Sequence, residues 1–380
     1  MRNLFIIILS LLSCQYSSSQ IGSESINRGK VDIELNKNIE LLGLAYFIGF
    51  EGVNIETKTV QVDGEAIPKK DWHNYGYALY QDYKSYATSA NLAKSFSVAN
   101  HLWLDYLSAF LMQVDEVPNA KLTDAIAEHY YLNFSKNKDA AEAKNNVEIF
   151  LEGMNAFSRE INLEAYLSNA ELYYRKMIEE VSNTLPNANF IDAMEAFYNT
   201  SFESYVLVPS LTIPKGMGFG IKVPTNNKTK IYSVFGALDA QEFEDENNLK
   251  MGFRNPEKLM ELSIHEFGHS FVNPEVTKLP DHLFQETEHL FKPLKAVMYD
   301  QGYNTWKACV YEHFVRAGEI IIAEKLGDEK TTERLMLDYQ EKRRFKYIPE
   351  ILIELRKYDD GFYKSYYALV ESTMRKLSKL

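Results

Sequence analysis

Glu261 to Phe271 reads ELSIHEFGHSF, with His265 and His269 four residues apart and Glu266 directly after the first. On a helix, positions i and i+4 lie one turn apart on the same face. The two imidazoles can therefore bind one ion at about 2.0–2.1 Å. Glu266 sits about 100° round the helix from His265, too far to ligate alongside the pair. It is placed instead to take a proton from a water that the ion has acidified toward a pKa of about 7, and to pass that proton to a leaving amine. The spacing predicts a Zn2+ centre with His265 and His269 as metal ligands and Glu266 as the catalytic base. Apart from Glu266, Ser263 to Phe271 contains no acidic residue, lysine or arginine. A solvent-exposed helix normally carries several.

Such a pair needs a rigid support. Asn255-Pro256-Glu257 supplies a cap, a proline suited to the first helical position and an acid for the positive helix end. Asn273-Pro274 marks the expected stop. Between them, Met260, Ile264, Phe267 and Phe271 share one narrow sector, with the histidines nearly opposite. One side of the helix is core and the other is reactive.

HEFGH in this setting resembles the zincin metallopeptidases. The metzincin branch requires glycine three residues after the second histidine and His or Asp three further on; here those positions are Val272 and Glu275. The pattern that remains is the gluzincin one, which implies a glutamate from a later helix as third ligand. The stretches NIELLGLAYFIGF, HEFGHSFVNP and YEHFVRAGE are also similar to an uncharacterised family of exported bacterial zincin-like proteins. That likeness covers most of the chain.

Glu312 is the favoured third ligand. It lies in TWKACVYEHFVRAGEIIIAEKLG, where Val310, Phe314, Ala317 and Ile321 form an apolar face and Glu312, Arg316 and Glu319 line the other. A carboxylate in such apolar company needs a metal or a cation. Glu288, nineteen residues after His269, is an alternative, as are Glu319 and His313. Glu319 is also suited to orienting a ligand histidine through its second nitrogen. Arg316 is expected to pair with Glu319 or else to bind a substrate carboxylate or the developing oxyanion. Tyr311, His313, His282 and Tyr303 are further candidates for that oxyanion role.

The chain has 380 residues, nearly half of them hydrophobic, with 25 Tyr and 22 Phe, enough for a large buried core. A formal charge of −12 and the absence of a basic run argue against nucleic acid or an anionic membrane surface as partner. The start, MRNLFIIILSLLSCQYSSSQ, has one early Arg and a short apolar run, too short to span a bilayer. It predicts export. Leu11 to Cys14 resembles a lipobox, with Cys14 as the lipidation site, while cleavage near Ser19 or Gln20 is the alternative.

The expected organisation is a lipoprotein-type signal over 1–14 and a polar tether over 15–30. A helical region over 31–200 and a core over 201–380 follow, either as two units or as one. From Tyr205, SYVLVPSLTIP, MGFGIKVP and KIYSVFGAL read as three strands of a small antiparallel sheet. The last of these, Lys230 to Leu238, is the candidate edge for an extended peptide. The fold class expected is α+β, predominantly helical, with a zincin-like core. The expected activity is a zinc metallopeptidase of the bacterial envelope acting on a peptide or protein, held to the membrane only by its N-terminal lipid. The alternative is an inactive zincin-like envelope lipoprotein that acts as a binding module.

Overall fold

A computed structural model describes residues 30–62, 65–185, 189–225 and 228–380. The expected signal sequence with Cys14, and all of the expected tether but Lys30, lie outside the described residues. The described residues are mostly helical with a small sheet, an α+β arrangement.

Strand β1 (Val31–Ile33) leads into helix α1 (Lys37–Tyr46). Asn36 caps α1 by accepting from the Asn38 and Ile39 N–H groups, and Asn38 to Ala45 are all buried. A hairpin of β2 (Thr59–Val62) and β3 (Glu65–Pro68) follows, then a run of helices that includes α2 (Leu104–Leu111). Strands β4 (Ser204–Pro209), β5 (Gly218–Thr225) and β6 (Lys228–Phe235) precede the two long helices α3 (Pro256–Thr277) and α4 (Trp306–Lys325).

The sheet differs from expectation. It has four strands in the order β1-β4-β6-β5, and it is mixed: β1 and β6 run parallel to β4, and only β5 is antiparallel to its neighbour. After β4 the chain crosses to the outer position, forms β5, and returns between the two as β6. The expected edge strand, Lys230 to Leu238, is therefore central, and β5 is the edge. β1 comes from the far end of the helical region, so the boundary near residue 200 is bridged by a shared sheet. A single hydrophobic cluster runs from Val31 to Leu377.

Side chains alternate strictly across the sheet, as period-two geometry requires. Val206, Val208, Ile221, Tyr232 and Val234 close against Ile39 of α1 and against Ala109 and Met112 at the end of α2. Tyr205, Leu207, Ile231 and Phe235 face the main core on the α3 side, and the Tyr205 and Phe267 rings meet edge-on at 5.3 Å. On β5 the positions that face α3 include Gly218 and Gly220. A Cβ at Gly220 would overlap the Glu266 carbonyl oxygen, and one at Gly218 would come within 2.8 Å of Glu266 Oε1. Two glycines thus let the edge strand lie directly against the helix that carries the histidines.

Candidate metal centre

Helix α3 begins as its sequence predicts. The Asn255 side chain accepts from the Lys258 N–H, and Pro256 occupies the first turn. It does not stop at Asn273-Pro274 but continues to Thr277. Pro274 forfeits one backbone bond. The extra turn compensates by burying Val276 and by bonding the Thr277 hydroxyl to the Asn273 carbonyl and to the Tyr311 hydroxyl. Phe267 and Phe271 are buried in the core, while the His265 and His269 rings lie on the other side with centroids 4.9 Å apart.

Helix α4, capped by the Thr305 side chain on the Ala308 N–H, packs its polar face on these rings. Glu312 Oε1 is 3.2 Å from His269 Nε2, and Oε2 is 3.7 Å from His265 Nε2. Ligand atoms held 2.0–2.1 Å from a tetrahedral ion are separated by about 3.3 Å. Each histidine nitrogen thus stands close to that spacing from one of the two Glu312 oxygens. His265, Glu266 and His269 offer ligand atoms that all lie within 4.8 Å of one another.

Both rings are turned by a second contact. His265 Nδ1 donates to Glu319 Oε1 at 2.7 Å, and Glu319 Oε2 accepts from the Tyr339 hydroxyl at 2.6 Å. His269 Nδ1 donates to Asn273 Oδ1 at 3.3 Å. With Nδ1 of each ring engaged in this way, both Nε2 atoms face Glu312, and a metal bound there would have to displace the proton that Glu312 holds on His269. Glu319 thus bonds the outer nitrogen of His265, on the side away from Glu312.

Arg316 departs from expectation. Its Nη2 lies 3.1 Å from Glu312 Oε2, making an ion pair with Glu312 rather than Glu319, and 3.2 Å from the Tyr303 hydroxyl, to which it donates. The guanidinium is buried between the Tyr339 and Phe345 rings, at 4.9 and 4.8 Å. It is shut off from any substrate carboxylate or oxyanion. His313 turns away as well: its Nδ1 bonds the Cys309 carbonyl at 2.7 Å, and its ring lies among Trp306, Phe345 and Tyr347. Burial lowers its pKa to about 4. Tyr311 is engaged with Thr277 at 2.8 Å. Glu288 and His282 are exposed, Glu288 in a short 3-10 turn (Glu288–Leu290), and neither joins the cluster. Cys309 is buried, which pushes its thiol up to about 12 and makes it a core residue.

The charges are strongly coupled. Burial opposes ionisation of Glu312, but Arg316, His265 and His269 hold its carboxyl well below the usual range. Burial likewise opposes ionisation of Glu319, which His265, Arg316 and Tyr339 keep low. Burial pulls His269 down, yet Glu312 and Glu266 outweigh it and raise the ring to about 9. Burial raises the Glu266 carboxyl, against the pull of His265, His269 and the Gly220 N–H. The pocket thus carries fixed negative charge that calls for a cation, either a proton on His269 or a metal ion.

Asn273, Tyr339, the β5 glycines and Asp105 of α2, whose charge acts on His269, were not anticipated from sequence. Asn273 could have been, since it sits one turn after His269. The family model described as a domain of unknown function, DUF4932, matches residues 31–373. The chain belongs to that family. The match takes in α3, α4 and the helical region before them, so the centre lies well inside the DUF4932 domain. Neither a curated protein nor a solved structure matches the chain.

Proposed function

We propose that this DUF4932 protein is a zinc-dependent peptidase of gluzincin type with a zincin-like core. One observation carries the reading. Two imidazole Nε2 atoms and the Glu312 carboxylate converge at distances of 3.2 and 3.7 Å, with a buried second carboxylate, Glu266, beside them at a sheet edge. His265, His269 and Glu312 would hold the ion. Zinc would supply Lewis acidity, polarising a carbonyl and lowering the pKa of a water.

The chain's own residues do the rest. Glu266, its carboxyl raised by burial, is suited to accept a proton from the attacking water and deliver it to the departing amine. In the net reaction the peptide C–N bond breaks, hydroxyl from water joins the acyl carbon, and a proton ends on the amine. Glu319 and Asn273 fix the histidine rings. Arg316 fixes Glu312. Strand β5 offers its outer edge to an extended peptide. Among the described residues no helix is long and apolar enough to cross a membrane. The N-terminal sequence supports export to the bacterial envelope with a lipid on Cys14.

The test is hydrolysis of a mixed peptide library by the zinc-loaded protein and by its Glu266→Gln variant, read by mass spectrometry. Cleavage by the wild type that drops at least 100-fold in Glu266→Gln is expected. A zinc-loaded wild type that cleaves nothing would instead support a binding protein with an inactive centre.

A further inference from the structure

The β5 edge is open over only part of its length. In an antiparallel strand the N–H and C=O of one residue point to the same side, and sides alternate along the chain. The Met217 carbonyl accepts from the Gly236 N–H, inward, next to β6. Gly218, Gly220, Lys222 and Pro224 therefore turn their backbone polar groups outward. The Lys222 carbonyl is already taken by the Tyr130 hydroxyl at 2.5 Å. Pro224 has no N–H to offer. The Gly220 N–H is turned to the Glu266 carboxylate. Among the described residues, no segment outside the sheet bonds to the backbone of Gly218 or to the Gly220 carbonyl. The free stretch lies beside Glu266 and ends at Lys222.

What stands at the closed end is acidic. Tyr130 belongs to a short turn (Glu128–Tyr130) that packs on the start of α2, where the Tyr106 hydroxyl accepts from the Asn133 N–H at 3.0 Å. Asp105, next to Tyr106, is exposed. Among the described residues no lysine or arginine pairs with it. Its Oδ1 accepts from the Tyr106 N–H at 2.7 Å, and its charge acts on His269 of the centre. An extended peptide pairs more stably antiparallel to an edge. Because β5 runs from Gly218 toward Pro224, such a peptide has its amino end at Lys222.

We propose that the cleft takes the free amino end of a peptide and trims chains from that end: Tyr130 and Pro224 close the strand edge beyond Gly220, and Asp105 pairs with the α-ammonium group. This rests on the peptidase reading and narrows it. A chain interior cannot pass Tyr130 along the edge, whereas an amino terminus ends there and brings the cation that Asp105 lacks.

The experiment compares three peptides of one sequence on the zinc-loaded full chain: free at the amino end, acetylated, and extended by several residues and acetylated. Free peptide is expected to be cut near its amino end with kcat/KM at least tenfold above the acetylated one. Asp105→Asn should abolish that preference, chiefly through KM, and Tyr130→Ala should raise cleavage of the extended peptide. Calorimetric binding of the same peptides to zinc-loaded Glu266→Gln should give the same ranking without turnover. Equal affinities for free and acetylated peptides would overturn the proposal, as would internal cutting of the extended peptide at the rate of the free one. Neither result touches the peptidase reading, which turns on whether any peptide is cut and whether Glu266→Gln stops the cutting.

Discussion

Glu319 Oε1 accepts a hydrogen bond from His265 Nδ1 at 2.7 Å, across the interface between two helices whose residues are 54 positions apart. The bond decides which nitrogen of His265 faces Glu312. Supporting carboxylates of this kind change metal affinity by about 10–100-fold when removed. Glu319→Gln should therefore weaken zinc binding within that range while leaving the far-ultraviolet circular dichroism unchanged. Competition against a chelator measures it. Tyr339→Phe removes one donor from the same carboxylate and should cost about 1–3 kcal/mol of stability, read from urea unfolding of the metal-free protein.

Arg316 gives Glu312 neighbouring positive charge, as the proposed zinc ion would. Removing one partner of a buried ion pair costs about 3–5 kcal/mol. Arg316→Met should lower the Tm of the metal-free protein sharply and that of the zinc-loaded protein much less. Equal losses in the two states would show that Arg316 acts through packing on Tyr339 and Phe345.

The two forms should respond to pH in opposite directions. In the metal-free protein His269 is raised to about 9 from 6.5. Its contribution to stability is complete below the unfolded pKa and is lost as pH rises through 9. Zinc must displace that proton, so affinity should rise roughly tenfold per pH unit up to about pH 9. Glu312 stays ionised throughout this range and adds no slope. Thermal melts and zinc titrations from pH 6.5 to 9 test both signs.

Gly220→Ala should separate β5 from α3, because the new Cβ overlaps the backbone at Glu266. The loss expected is about 1–3 kcal/mol, with activity falling further than stability because Glu266 moves. Gly218→Ala meets the ends of the Leu262 and Glu266 side chains, at 2.6 and 2.8 Å. It should cost less stability and still lower kcat. Melting temperatures and hydrolysis rates on the same samples separate the two effects.

Local pattern carried much of this into the sequence. The α3 face was legible because apolar spacing, an Asn cap and Pro256 agree. Glu312 was legible because a carboxylate stands out in an apolar helix. The alternating glycines of MGFGIKVP were read only as part of a strand, although such glycines can mark close backbone approach. Parallel pairing of β4 with β6 and with β1 was not legible, since strand direction depends on contacts far apart in the chain and β1 has only three residues. Arg316 was assigned to the wrong glutamate because Glu312 and Glu319 are both within its reach on one helix. The helix geometry alone does not favour one over the other. Tyr339, Tyr130 and Asp105 come from distant segments and carry no mark of their roles.

Zinc content measured on the purified, metal-replete protein tests the central claim most directly. The account predicts stoichiometric zinc in the wild type and in Glu266→Gln, and its loss in Glu312→Ala. A wild type free of zinc would contradict it, and full zinc retention in Glu312→Ala would remove Glu312 from the ligand set.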